Sequence, residues 1–125
     1  MKKLMYVLGA FLMFAMTIGA ADSLRNDPTE IRDQLLKAKP LGTSIDEVDI
    51  WPRTEKRLNS TVSKTSGFLK QQQPGSSVVG KMSIKADLGV YKTWFFFTTS
   101  VVAFWGFDEK GQLIEVWVWK TTDAI

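Results

Sequence analysis

Apolar and polar residues alternate through Thr99–Lys120, TSVVAFWGFDEKGQLIEVWVWK, in two runs that break at Asp108-Glu109-Lys110-Gly111. Asp opening a type I turn, with Gly taking the left-handed position at its end, is a strong hairpin signal. Setting Asp108 opposite Gln112 pairs Gly106 with Ile114, Phe104 with Val116 and Val102 with Val118. That side is apolar throughout and must be covered. The other side then carries Trp105 opposite Glu115, Ala103 opposite Trp117 and Val101 opposite Trp119, because successive strand side chains point to opposite faces. Upstream, Val78, Gly80, Met82, Ile84 and Ala86 alternate with Lys81, Ser83 and Lys85, which predicts a half-exposed strand. Asp87-Leu88-Gly89 predicts a turn after it, and Trp94–Phe97 begins an aromatic stretch leading into the hairpin.

The N-terminal half has helical spacing instead. Asp27 as N-cap, Pro28 at the first helical position and Glu30 three residues past the cap predict a helix start. Ile31, Leu35 and Ala38 fall on one face, and Pro40 ends the element. Ser44-Ile45-Asp46-Glu47 reads as a capping box for a second helix with Ile45, Val48 and Trp51 on one stripe, kinked or stopped by Pro52. Residues 59–77 are polar apart from Gly67-Phe68-Leu69 and predict a long loop, with room for a poorly patterned strand near Thr65–Lys70. The order helix, helix, loop, strand, hairpin predicts an α+β domain: two N-terminal helices packed on one face of a three- or four-stranded antiparallel meander.

The first residues lie outside this scheme. Lys2-Lys3, the uncharged run Leu4–Met16 and the small residues Thr17–Ala21 have the pattern of a signal peptide cleaved after Ala20 or Ala21. Residues 1–21 are therefore expected to be a leader and residues 22–125 one domain, periplasmic or secreted, and soluble after cleavage. Contact with a membrane is expected only if the leader is retained as an anchor. Losing Lys2 and Lys3 lowers the formal charge from +3 to +1, so the pI of 9.2 overstates the basicity of the mature chain. Without a basic run interleaved with aromatics, nucleic-acid binding is not expected.

Composition narrows the chemistry further. The chain has no His and no Cys. That removes the commonest general base and zinc ligand, thiol nucleophiles, disulfides and any lipid-bearing cysteine. Asp46, Glu47 and Asp49 read as a dipole-stabilising first turn and not as a metal site. Glu115 among tryptophans reads as an edge charge or an ion-pair partner of Lys81 or Lys85 and not as a catalytic acid. No cofactor, no metal and no enzymatic activity are expected.

What remains is the aromatic face. Trp105, Trp117 and Trp119, with Glu115 among them, are the candidate partner-binding residues. Tryptophan is enriched at binding hot spots because its large ring packs while its N–H finds a partner. Two arrangements fit the sequence: an open surface for a protein or peptide, or a second small core under residues 59–77 with Phe68 packed on the rings. Stacking of a small ligand or glycan on the same rings is the alternative function.

Leu41-Gly42-Thr43-Ser44-Ile45-Asp46-Glu47-Val48 resembles the small-Gly-Thr/Ser-x-x-Glu-Val helix start of the SmpA/OmlA-type lipoproteins, accessory subunits of the outer-membrane β-barrel assembly machinery. The strand-turn-strand AFWGFDEKGQLIEVWVW is similar to that family's late hairpin. The order of two helices and a meander is also similar to that of the β-lactamase inhibitor protein, whose concave sheet binds proteins through aromatics. The resemblance implies a non-catalytic protein binder of the bacterial cell envelope, in an assembly, inhibitor or immunity-type role.

Overall fold

The structure is a computed structural model, and it describes residues 21–70 and 75–124. The expected signal peptide, apart from Ala21, lies outside these residues. The chain forms α1 (Ala21–Leu24), α2 (Pro28–Ala38), α3 (Ile45–Ile50) and a π-helical turn over Trp51–Glu55. Then come β1 (Ser60–Ser63), β2 (Phe68–Leu69), β3 (Val78–Val79), β4 (Met82–Trp94), β5 (Phe97–Phe107) and β6 (Leu113–Ala124). The fold is α+β. One antiparallel sheet has four strands in the order β1-β4-β5-β6, and β2 and β3 pair as a separate ribbon.

Local chemistry explains the helices. Pro28 sits in the first turn of α2, and Asp27 precedes it in extended conformation without a side-chain capping bond. Ile31, Leu35 and Ala38 are buried. In α3 the Ser44 hydroxyl accepts the Glu47 N–H at 3.3 Å, satisfying a donor that the helix itself leaves free. Pro52 has no N–H to continue the α pattern. The chain widens there into a π turn, in which the Lys56 N–H donates to the Trp51 carbonyl at 2.9 Å.

The long segment after α3 is more ordered than its composition predicts. Residues 60–63 add β1 to the edge of β4, and Phe68 and Leu69 pair with Val79 and Val78. The predicted turn at Asp87-Leu88-Gly89 is not a turn. β4 runs through it with a bulge between Asp87 and Gly89, and the chain reverses only at Phe95-Phe96. Gly89 has φ +148°, and a Cβ there would come within 2.6 Å of Leu24 Cδ1, so its bareness admits α1 against the sheet.

The main correction concerns the β5–β6 hairpin. The Asp108 N–H does donate to Gln112 O (2.9 Å), and the Asp108 carboxylate accepts the N–H groups of Lys110 and Gln112, each at 2.9 Å. Phe107 then pairs with Leu113, but Gly106 pairs with Glu115, leaving Ile114 as the extra residue of a bulge. From there the register is Trp105–Val116, Phe104–Trp117, Ala103–Val118 and Val102–Trp119. One added residue exchanges the two faces of a strand. Val116 and Val118 face the core as expected, Val102 and Phe104 do not, and Ile114 is 45% exposed.

The core follows from this register. Ile31, Leu35, Val48 and Trp51 share one buried cluster with Ile84, Val101, Trp105, Phe107, Leu113 and Val116, and the cluster runs from Leu24 to Val118. Leu113 is fixed by two backbone bonds of 2.8 Å, accepting from the Gly42 N–H and donating to Thr43 O, while the Ile45 N–H reaches Gly111 O at 2.8 Å. The loop between α2 and α3 is thereby pinned to the β5–β6 turn.

Candidate functional site

The face of the sheet opposite this core carries an aromatic row. Phe104 and Trp117 are cross-strand partners with ring centroids 5.3 Å apart, and Trp119 lies 5.2 Å beyond Trp117. Trp105 does not belong to this row. It is 1% exposed and packs in the core at 6.1 Å from Trp51. The structure thus brings together Trp117, Trp119 and Glu115 of the residues named from sequence, and replaces Trp105 with Phe104.

The β2–β3 ribbon lies over one end of the row. Phe68 is 5% exposed, stacks parallel on Trp117 at 6.2 Å, and lies 5.4 Å from Phe104. Two glycines make this approach possible. A Cβ at Gly106 would be 2.9 Å from both Phe68 Cε1 and Val79 Cγ1, and a Cβ at Gly67 would be 1.9 Å from Val79 O. The ribbon's outward residues, Leu69 and Val78, are 52% and 58% exposed. Covering by residues 59–77 is therefore partial: Trp117 and Trp119 keep part of their surface in water.

Glu115 is placed by the bulge. Its Oε1 accepts from Lys70 Nζ at 2.7 Å, with both side chains mostly withdrawn from solvent. The expected partners Lys81 and Lys85 are not the ones used. Lys85 instead holds its ammonium 6.0 Å from the centre of the Phe104 ring. The Lys70–Glu115 pair joins the ribbon to the edge strand, and a carboxylate so engaged has a structural reason for its position.

The acidic residues of α3 are also accounted for structurally. Asp49 pairs with Arg53 at 3.2 Å and Asp46 with Lys64 at 3.6 Å. Among the described residues no group of three or more acidic side chains is arranged to hold a metal ion.

Sequence reasoning missed two sets of residues. Phe104 is absent from the expected row because the β5–β6 slip is set by pairing across strands, whereas Phe68 packs on the rings as one of the two expected arrangements has it. The available signal was that Leu113 is out of phase with Val116 and Val118, so all three reach one face only if a residue is added between them. Trp94–Phe97 carries no such signal, because a run of four aromatics cannot alternate and predicts only the approach to the hairpin. The structure exposes them at 67%, 76%, 72% and 38% on the β4–β5 turn. No family model, characterised protein or solved structure matches the chain.

Proposed function

We propose that this chain is an exported, non-catalytic protein-binding domain of the bacterial cell envelope, with an assembly, inhibitor or immunity-type role, and that it meets its partner through the outer face of the sheet. The observation that carries this reading is the row Phe104–Trp117–Trp119, which lies away from the helices and outside the core cluster. Wide rings that keep part of their surface in water beside a polar rim are what hot spots are made of. Lys85, Lys70 and Glu115 supply that rim.

The leader-like N-terminus and the likeness of the Gly42–Val48 segment to SmpA/OmlA-type proteins support the envelope setting. The glycan alternative is less favoured. Phe68 already stacks on Trp117 with planes 2° apart, occupying ring surface that a sugar would need.

The test is capture from envelope extract by the domain, beside a glycan array. A protein retained by the native domain and lost with Trp119→Ser or Lys85→Glu supports the reading, with a loss of about 2 kcal/mol as hot-spot truncations give. A glycan signal abolished by Trp119→Ser, without a protein partner, replaces it with the alternative.

A further inference from the structure

The β4–β5 hairpin ends in Trp94-Phe95-Phe96-Phe97, the most exposed large apolar side chains being Phe95 and Phe96 at the two turn positions. We propose that this tip inserts into the interface of an anionic phospholipid bilayer, docking the domain on a membrane by a site separate from the aromatic outer face.

Nothing local requires aromatics here. Two-residue hairpin turns favour Gly, Asn and Asp, which relieve backbone strain or bond their own backbone. Arg57 is the only residue other than glycine with positive φ among those described, so the turn asks for no special conformation and draws no structural benefit from two phenylalanines. Nor does the tip belong to the core, which contains no residue between Leu88 and Val101 apart from partly buried Tyr91 at its margin. It stands five residues beyond Val102, the partner of Trp119, or about 16 Å along the strand. Its shape is convex, at the end of a ribbon, and not the flat or concave surface typical of the face described above.

The groups behind the tip follow the order of a bilayer. Immediately below the rings is a row of hydroxyls: Thr93 bonds to Thr99, and Thr99 to Thr122 at 2.8 Å. Next comes Tyr91, with the Arg25 guanidinium 4.7 Å from its ring centre, and Lys120 Nζ 5.1 Å from the ring and 3.1 Å from the hydroxyl. Arg25 also donates to the backbone carbonyl of Lys92 at 3.0 Å, so two cations, Arg25 and Lys120, sit against Tyr91, and the exposed Lys92 is its neighbour in the strand. Asp123, on the neighbouring strand β6, pairs with Thr98, and the acidic residue of β4, Asp87, lies farther back, opposite Val102. Aromatics at the acyl boundary, hydroxyls above them and cations at phosphate depth is the arrangement of an interfacial anchor. The cations select an anionic surface. Backbone pairing persists to the end, Trp94 with Phe97 and Phe97 with Ala124, so shallow insertion leaves few polar groups without partners. Among the described residues no helix is long and apolar enough to cross a membrane.

The experiment uses the chain from Ala21 onward, which holds the whole core cluster and leaves out the apolar run Leu4–Met16. Flotation is measured with phosphatidylcholine vesicles and with phosphatidylcholine–phosphatidylglycerol vesicles. The native chain is expected to float with the anionic vesicles and to be released by salt. Replacing Trp94, Phe95 and Phe96 together by Ser weakens this by about tenfold or more, because binding scales with the apolar area inserted. Phe96→Ser alone gives a smaller loss in the same direction and serves if the triple variant unfolds. Arg25→Gln with Lys92→Gln removes most of the preference for anionic vesicles. Trp119→Ser leaves flotation unchanged, which separates this site from the outer face. Acyl chains brominated near the headgroup quench native fluorescence, and Trp94→Phe abolishes the quenching. Absence of flotation, or flotation indifferent to Phe96→Ser, overturns the proposal. So does a self-associated chain that the tip variants turn monomeric, or a tip shielded only when a protein partner is added.

Discussion

Deleting Ile114 is expected to leave the domain folded and to lower its stability by only about 1 kcal/mol. Ile114 is the residue by which β6 outruns β5, since Phe107 pairs with Leu113 and Gly106 with Glu115. Removing it joins Leu113 directly to Glu115. Leu113, Val116 and Val118 then alternate toward the core without interruption, and Glu115, Trp117 and Trp119 alternate toward the outer face. The loss is the side chain's own contribution: Ile114 is 45% exposed, so roughly half of the ~1.5–3 kcal/mol for fully burying an isoleucine is at stake. The turn is unaffected, because its bonds through Asp108 and the two bonds of Leu113 lie before the deletion. Urea unfolding followed by far-UV circular dichroism reads the change. With a slope of about 1–3 kcal/mol per M, the midpoint falls by roughly 0.3–1 M with the slope kept. Deleting Ala103 is the control, because β5 has no spare residue there and every side chain before it changes face. Loss of a cooperative transition on deleting Ile114, or damage equal to that of the Ala103 deletion, would refute the bulge. A regular register would turn Val116 and Val118 into water.

Trp105→Ala is expected to lower stability by about 3–5 kcal/mol, as truncation of a buried aromatic does, and Trp119→Ala by about 1–2 kcal/mol. Urea midpoints of the two variants check this, and equal losses would contradict the assignment of faces. Gly106→Val drives a side chain into space held by Phe68 and Val79, so the β2–β3 ribbon is expected to lift, at about 1–3 kcal/mol. Acrylamide should then reach Trp117, and unchanged quenching would show that the ribbon accommodates the valine. Burial lowers the Lys56 pKa below the ordinary lysine range, with Glu55 partly offsetting it. The native state then releases this proton at lower pH than the unfolded chain, so stability rises with pH between the two values. Lys56→Met should abolish that alkaline gain, measured as the difference in urea midpoint between variant and native chain across the alkaline range.

Much of the scaffold was legible where structure depends on nearby residues. Pro28, Pro40 and the spacing of Ile31, Leu35 and Ala38 located α2, and Ser44 with Ile45, Val48 and Trp51 located α3, because caps, prolines and a period near 3.6 are local properties. The Asp108–Gly111 turn was legible for the same reason. The aromatic row was legible in part. Trp117 and Trp119 were placed together because residues two apart on one strand always share a face, but Trp105 was assigned by pairing across strands, and pairing is not local.

The sequence by itself therefore determined the α+β class, α2 and α3 with their inward stripes, the Asp108–Gly111 turn and the inward side of Ile84 and Ala86, since these follow from backbone sterics and from spacing along one chain. Tertiary structure alone decided which strand residues meet. Trp51 and the α2–α3 loop, reaching over the sheet, favour Trp105 and Leu113 on the core side together, and only an extra residue at Ile114 satisfies both with Val116 and Val118. The same packing decided that Phe68 covers Trp117, that Lys70 takes Glu115, and that Leu24 packs over Gly89, where β4 continues through a bulge toward the turn at Phe95-Phe96. Burying an apolar residue outweighs the local preference of a single turn or ladder bond. Pairing across the fold therefore prevailed at each place where the two disagreed.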